Sequence, residues 1–184
     1  MSSYALPFPG RDLAEKELSY DPCYPRIPET DRARIVDARG KKAAPQQGMS
    51  LRKAAAVQTF CHLQGKRADG GGAEHRLCFR QPALFQRLCG GQNCVTLYLR
   101  SVDLWAQQNK MSRMEAENLI LSHEYYHFLE WNKLGMTSRD YQVPMISIGP
   151  LRLGKTGIRA LSEIGAHGFA HTYHHLLEAQ HGTY

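Results

Sequence analysis

The segment between Ser112 and Gly135 constrains the fold more than any other part of the sequence, because both ends of a helix are marked in it. Ser112 and Glu115 have the spacing of a capping box, and Gly135 is the type of residue that ends helices in the left-handed conformation. At 100° per residue, one side of this predicted helix is apolar. Two histidines share that side with Ala116, Leu119, Ile120, Trp131 and Leu134. The sequence therefore predicts a helix that directs two imidazoles into the protein.

His123 and His127 belong to the pattern His-Glu-x-x-His, which reads HEYYH in this chain. Four helical residues turn through about 400° and rise about 6 Å, so both imidazoles leave the same face and can share one ion. Glu124 lies one residue on, where it can hold a water molecule without being a ligand. Two aligned imidazoles in an apolar face need polar partners, and a cation satisfies both together. The alternative is a pair of core histidines that hydrogen-bond the backbone.

A third ligand has to come from another part of the chain. One class of zinc peptidase extends the motif with a glycine and a third histidine at positions where this chain has Glu130 and Lys133. The other common solution is a glutamate on a later helix. A helix is predicted from about Ile158 to Glu178, and it carries Glu163 in its first part. The small residues that follow allow close helix packing: Gly165, Ala166 and Gly168.

Taken together, HEYYH and the segment EIGAHGFA resemble gluzincin-type zinc metallopeptidases. Within that group the chain is similar to the ImmA/IrrE-like peptidases, whose second motif reads Glu-x-x-Ala-x-x-Phe-Ala. The segment that begins at Glu163 matches all four of these positions. The resemblance runs from residue 94 to the last helix. It implies a zinc ion bound by His123, His127 and Glu163, with Glu124 as the general base.

Two further residues near these motifs have roles that the sequence leaves open. His167 lies four residues after Glu163 on the same face, where related gluzincins often have an aspartate that hydrogen-bonds a ligand histidine. It can support a ligand in this way or replace Glu163 on the metal. Glu130 lies three residues after His127 within the apolar stripe, where a carboxylate needs a partner. It can orient a ligand or bind an arginine.

The predicted fold class is α+β, with a small twisted sheet, an active-site helix and a C-terminal helix in a zincin-like arrangement. The strongest strand is 94–102, which is rich in β-branched and aromatic residues and preceded by two glycines. We expect it to be a sheet edge that pairs with an extended substrate. Short helices are predicted over 50–63 and 82–90, a loop over 65–74, and a long connection over 136–157.

The chain is predicted to have two parts. Residues 1–47 contain six of the nine prolines and show little periodicity, which predicts an irregular arm or a flexible leader. Residues 48–184 are predicted to form the metallopeptidase domain. The start of the chain lacks the layout of a signal peptide, and no apolar run approaches the roughly 20 residues of a membrane span. We therefore expect no membrane insertion, and either a cytoplasmic location or delivery by a route other than Sec.

The net charge of +6 is concentrated in residues 48–92, which carry seven basic and two acidic side chains. The arginines there are scattered and no recognised binding module surrounds them, so we expect a protein or peptide substrate rather than nucleic acid. The predicted function is a zinc-dependent endopeptidase, acting as a toxin or effector or as a regulatory protease. One alternative is a non-catalytic, zinc-stabilised protein that binds partners through its basic middle segment. Another is a di-iron protein, which would need a second Glu-x-x-His pair.

Overall fold

Helices and antiparallel strands both contribute to the structure, which confirms the predicted α+β class. The computed structural model describes residues 11–43, 65–67, 74–78 and 94–181. Within these ranges, no helix is both long enough and apolar enough to cross a bilayer. The helices are α1 (Arg11–Ser19), α2 (Glu29–Ala43), α3 (Leu99–Gln108), α4 (Arg113–Leu129) and α5 (Ala160–His181). The strands are β1 (Gly65–Arg67), β2 (Glu74–Cys78), β3 (Cys94–Tyr98), β4 (Gln142–Ile148) and β5 (Leu151–Gly157).

Most of residues 11–43 are helical, so the prediction of an irregular arm is wrong for this part of the chain. Three of the six prolines that suggested irregular structure lie in the connection between α1 and α2, and the other three fall outside the described residues. Pro25 is in a short 3-10 turn, Tyr24–Arg26, and Pro28 directly precedes α2. The predicted domain boundary near residue 47 lies outside the described residues. The two helices share a buried cluster with β4 and α5: Ala14, Leu18, Ile27, Ile35, Val36, Val143, Ile158, Ala160, Leu161 and Ile164.

Asp21 fixes the start of α5 against the N-terminal helices. Its buried carboxylate accepts hydrogen bonds from the backbone N–H of Cys23, at 2.8 Å, and from the backbone N–H of Ala160, at 3.0 Å. A carboxylate in this place satisfies an N–H group at the start of α5 and interacts favourably with the positive end of the helix dipole. The helix that carries Glu163 is therefore anchored just before that residue.

The first sheet has the order β1-β2-β3, and all of its pairings are antiparallel. The predicted strand 94–102 is correct only as far as Tyr98, because α3 begins directly after it and buries Leu99, Val102 and Ala106 at helical spacing. The loop predicted over 65–74 is wrong at its two ends, where β1 and the first residue of β2 lie. The helices predicted over 50–63 and 82–90 fall outside the described residues.

The N-terminal end of α4 is the predicted capping box. The backbone N–H of Glu115 donates to Ser112 Oγ at 3.2 Å, and the backbone N–H of Ser112 donates to Glu115 Oε2 at 2.7 Å. These two bonds satisfy N–H groups that have no partner within the helix. The predicted start of the motif helix is therefore confirmed.

The C-terminal end of α4 departs from a regular α-helix. After Leu129 the backbone forms a π turn over Glu130–Leu134, and Gly135 ends it with a φ of +76°. A π turn changes the phase of the side chains that follow it. Trp131 and Leu134 are consequently exposed, at 39% and 48%, so the predicted apolar stripe is wrong at these two positions.

α4 and α5 pack directly on each other through a buried aromatic cluster formed by Tyr126, Ala166, Phe169 and Tyr173. Gly165 lies against the ring of Tyr126, because a Cβ atom at this position would be only 2.3 Å from the phenol oxygen. The close helix packing predicted from the small residues is confirmed at Gly165. This contact brings the motif helix and the last helix together at the level of the candidate ligands.

Residues 136–157 contain a β-hairpin, so the prediction of a long connection is wrong. A short 3-10 turn, Thr137–Arg139, precedes β4, and Gly149 between the two strands has a φ of +56°. Of the glycines and prolines that suggested a connection, Gly149 and Pro150 form the turn of this hairpin, and the others lie within its strands. One face of the hairpin is aliphatic and exposed, and consists of Ile146, Ile148, Leu151 and Leu153.

Candidate metal centre

Three side chains from α4 and α5 converge on one point. The Nε2 atoms of His123 and His127 lie 3.2 Å apart. Glu163 reaches both rings, with its Oε2 atom 3.3 Å from His123 Nε2 and its Oε1 atom 3.5 Å from His127 Nε2. The three predicted ligands are thus brought together, and their donor atoms are close enough to bind a single metal ion.

The centre is shielded on the α4 side and open on the α5 side. The side chains of His123 and His127 are 11% and 20% exposed, whereas that of Glu163 is 46% exposed. His123 projects from a buried stretch of α4 that includes Leu121 and Ser122. The carboxylate therefore forms the solvent side of the centre, and the donor atoms can be approached past it.

Glu130 supports the centre from behind His127. Its Oε2 atom lies 3.3 Å from His127 Nδ1, so the ring N–H on that side can donate to it. The carboxylate is 3% exposed, and its Oε1 atom accepts a hydrogen bond from the backbone N–H of Thr137 at 2.7 Å. Of the two roles left open for Glu130, contact with His127, a candidate ligand, is observed. Arg39, a buried arginine, forms its ion pair with Asp140.

Two residues of this support were not predicted from the sequence. Ser162 donates a hydrogen bond to Glu130, and its Oγ atom lies 3.2 Å from His127 Nδ1. The hydroxyl of Thr137 donates to Glu130 as well. The only signal for Ser162 is its place directly before Glu163 in the chain. No sequence feature indicates the role of Thr137, because its contact with Glu130 depends on the π turn between them.

The charges at the centre act strongly on one another. Burial lowers the pKa of His127, but hydrogen bonds to Glu130 and Glu163 and the nearby charges of Glu163 and Glu124 raise it to about 10. Hydrogen bonds from His123 and His127 hold the pKa of Glu163 far below its ordinary value, against the effect of burial. For Glu130, burial raises the pKa, but hydrogen bonds from His127, Ser162 and Thr137 lower it overall. The carboxylates around the rings therefore stay ionised and favour positive charge between them.

Glu124, the predicted general base, is half-buried on α4. Its charge is one of the causes of the raised pKa of His127, which means that the two side chains are close enough to interact. Unlike Glu130, Glu124 is next to His123 in the chain. Its role as general base stays a prediction, and its electrostatic effect on His127 is the observed link to the centre.

His167 lies next to the centre on α5. Its ring centroid is 5.0 Å from that of His123. The potential ligand atoms of His123, Glu163 and His167 all lie within 4.8 Å of one another. Burial and the proximity of His123 lower the pKa of His167 to about 4, so the ring is neutral at physiological pH. The two roles predicted for His167, support of a ligand and replacement of Glu163 on the metal, both stay predictions.

No protein-family model, curated protein or solved structure matches this chain. The sequence motifs and the geometry of the centre are therefore the features that bear on its function.

Proposed function

We propose that this protein is a zinc-dependent endopeptidase of the gluzincin type, which hydrolyses a protein substrate with Glu124 as the general base. Its biological role would be that of a toxin or effector or of a regulatory protease. The observation that supports the proposal most is the convergence of His123, His127 and Glu163, with the two Nε2 atoms 3.2 Å apart and each of them 3.3–3.5 Å from an oxygen of Glu163. The resemblance of both motifs to those of the ImmA/IrrE-like peptidases assigns the same residues, within a zincin-like arrangement.

Zinc suits both the donor set and its spacing. Two histidine nitrogens and one glutamate oxygen form a ligand set known from catalytic zinc sites, which keep the fourth position open. Tetrahedral zinc with bonds of about 2.0–2.2 Å holds its ligand atoms about 3.3–3.6 Å apart. The two Nε2 atoms are 3.2 Å apart, and each lies 3.3–3.5 Å from its nearer Glu163 oxygen, which is close to this range. The spacing of the two imidazole nitrogens, and of each from a Glu163 oxygen, is therefore compatible with a single zinc ion.

The alternative of two core histidines has less support. Such histidines would direct their ring nitrogens to backbone carbonyls, whereas the Nε2 atoms of His123 and His127 face each other and Glu163. His127 Nδ1 already faces Glu130 and Ser162, which leaves its Nε2 atom as the donor toward the centre. This division of the two ring nitrogens is the usual arrangement for a metal-binding histidine.

The chemistry follows from the residues around the ligands. When bound, zinc would polarise the scissile carbonyl and lower the pKa of a water molecule to about 7. Glu124 accepts a proton from the attacking water and passes it to the leaving amine. Glu130 and Ser162 hold the ring of His127 in one orientation throughout. Glu163 forms the exposed side, which is where a substrate would enter.

β3 offers an edge along which the substrate backbone can bind. It pairs with β2 on one side, and no other described strand pairs with it. β3 is also linked to the motif helix, because its Leu97 packs in a cluster with residues of α3 and with Ala116 and Leu121 of α4. An extended peptide added to this edge would form backbone hydrogen bonds of the kind seen in β-augmentation.

The experiment that tests the proposal compares the wild type with Glu124→Gln. We expect the purified wild type to contain one tightly bound zinc ion and to generate new protein N-termini in a proteomic search. Glu124→Gln should keep the zinc and lose cleavage by a factor of at least about 10²–10⁴, the usual effect of removing a general base. Glu117→Gln is the matched control, since Glu117 lies on the same helix and forms an ion pair with Arg113 at the surface, at 3.1 Å.

Two results would contradict the proposal. If the zinc-loaded wild type cleaves no protein and behaves like Glu124→Gln in every assay, the centre is not catalytic. If chelation of the metal also unfolds the chain, the non-catalytic, zinc-stabilised binding protein becomes the better explanation. Metal analysis that finds two iron ions per chain would instead favour the di-iron alternative.

A further inference from the structure

The last helix carries more metal-binding side chains than the proposed centre uses. At 100° per residue, five of them fall within an arc of about 80° on one side of α5, and the sixth lies about 40° beyond it. Residues spaced by three or four positions along a helix lie one above the other, so these side chains form a continuous row. The row consists of Glu163, His167, His171, His174, His175 and Glu178.

At the far end of this row, two imidazoles approach a single carboxylate oxygen. His174 Nδ1 lies 3.5 Å from Glu178 Oε2, and His175 Nδ1 lies 3.4 Å from the same oxygen. The three potential ligand atoms all lie within 4.8 Å of one another. The arrangement repeats the donor set of the first centre, with two histidine nitrogens and one glutamate oxygen.

We propose that His174, His175 and Glu178 form a second divalent-cation site, which binds zinc or another imidazole-preferring ion of the same series. Imidazole ligands favour zinc, copper and nickel over magnesium and calcium, which prefer oxygen ligands alone. The site depends on its own side chains and not on the proposed peptidase activity. It can therefore exist whether or not the first centre is catalytic.

The second ion would be distinct from the first rather than part of a two-metal centre. Glu163 and His174 are 11 residues apart on one helix, which corresponds to roughly 16 Å along its axis. Paired catalytic metals lie about 3.5–4 Å apart, so the two sites cannot share a substrate atom. An ion at the second site would stabilise the end of α5, because it would link residues 174 and 178 on two successive turns of the helix.

The charges around the second site also favour a cation. Glu115, in the first turn of α4, interacts electrostatically with His174. Its pKa is lowered by hydrogen bonds from Ser112, so it remains ionised at physiological pH. Carboxylates of two helices thus act on His174, one from Glu115 and one from Glu178. The site is nevertheless accessible, since the side chains of His175 and Glu178 are 70% and 61% exposed.

The test is a zinc titration of the full chain, followed by calorimetry and elemental analysis. We expect two binding events in the wild type, a tight one and a weaker one. The double variant His175→Ala/Glu178→Gln changes only exposed side chains, so it should fold normally and lose the weaker event. His171→Ala is the matched control, because it removes an imidazole from the same row but leaves all three ligands of the second site in place.

A primary-site variant completes the design and separates the two proposals. In His127→Ala the tight event should disappear and the weaker one should persist. As a readout independent of activity, zinc should slow amide hydrogen exchange in residues 174–181 of the wild type and of His127→Ala, but not of the double variant. A wild type with no event that is lost in the double variant, or a weaker event that survives in the double variant, would overturn the second site. Neither result would affect the test of Glu124.

Discussion

Two clusters of histidine and glutamate lie along α5, and they offer the same kinds of donor atom in very different surroundings. The first combines two helices, with His123 and His127 from α4 and Glu163 from α5. The second takes all three residues from neighbouring turns of one helix, and two of its side chains are mostly exposed. Donor type alone therefore does not distinguish the two clusters. What distinguishes them is how firmly each set of atoms is held.

The two clusters differ most in the side chains that orient their imidazole rings. In the first cluster, His127 is oriented by Glu130, a buried carboxylate that is held in turn by Thr137 and Ser162. In the second cluster, Glu178 is both the proposed ligand and the ion-pair partner of both rings, so it cannot orient them from behind. Side chains that must be ordered on binding cost conformational entropy, which weakens the interaction. We therefore expect tight binding at the first cluster and weaker, exchangeable binding at the second.

The largest expected effect comes from removing the same functional group from each cluster in turn. Glu163→Gln should abolish tight zinc binding and cleavage, because it takes away the only charged ligand of the first centre. Glu178→Gln, on the same helix, should leave both unchanged and weaken only the second binding event. The measurement is the zinc content of each variant after dialysis against a chelator. Equal zinc loss in both variants would show that the two clusters are not independent.

The second effect, smaller but still large, is the pH dependence of the first centre. Because Glu130 and Glu163 outweigh the effect of burial and raise the pKa of His127 to about 10, the metal-free ring carries a proton at neutral pH. A metal needs the neutral ring, so it must displace that proton. As the pH rises, fewer protons compete, and zinc affinity should increase about tenfold per pH unit below the pKa. Chelator competition between about pH 6.5 and 8.5 should show an increase of about 100-fold.

Buffers of different ionisation enthalpy provide the control for this prediction. Calorimetry in such buffers should show about one proton released for each zinc ion bound at the first centre. An affinity that does not change with pH, together with no proton release, would mean that His127 is neutral before the metal binds. The carboxylates around the ring would then not have the influence assigned to them.

The pairing of His123 with His127 could be predicted from the sequence because its geometry is local, whereas Glu163 was assigned through the resemblance of its segment to a family motif. A spacing of four residues on a helix fixes the relation between His123 and His127, and a helix with small residues can bring Glu163 close to them. The support around Glu130 could not be predicted, because it depends on a π turn that no residue in the segment announces. Position 130 could be recognised only as a carboxylate that needs a partner.

The N-terminal helices were missed for a different reason. Their buried side chains are few and separated by charged residues, so neither helix shows a strong apolar stripe; Ala14 and Leu18 are an example. They become recognisable only through contacts with α5 that are more than 100 residues away in the chain, such as the bond from Ala160 to Asp21. Their function in the fold is to anchor α5, which the sequence pattern of either helix alone does not indicate.

The smallest of the three expected effects tests whether the hydrogen bonds behind His127 explain the difference between the two clusters. The variant weakens these hydrogen bonds but keeps all three proposed ligands of the first cluster. Glu130→Gln preserves the shape of the side chain but removes its charge, and its amide can present N–H groups to the N–H of His127. Replacing a group that orients a ligand typically costs about 10–100-fold in metal affinity or activity, and we expect a loss in that range. Chelator competition measures it, with Glu117→Gln as the control from the same helix and thermal unfolding as the check on folding. A folded Glu130→Gln variant that binds zinc as tightly as the wild type would show that the buried network does not set the affinity of the first cluster, and the proposed reason for the difference between the two clusters would fail.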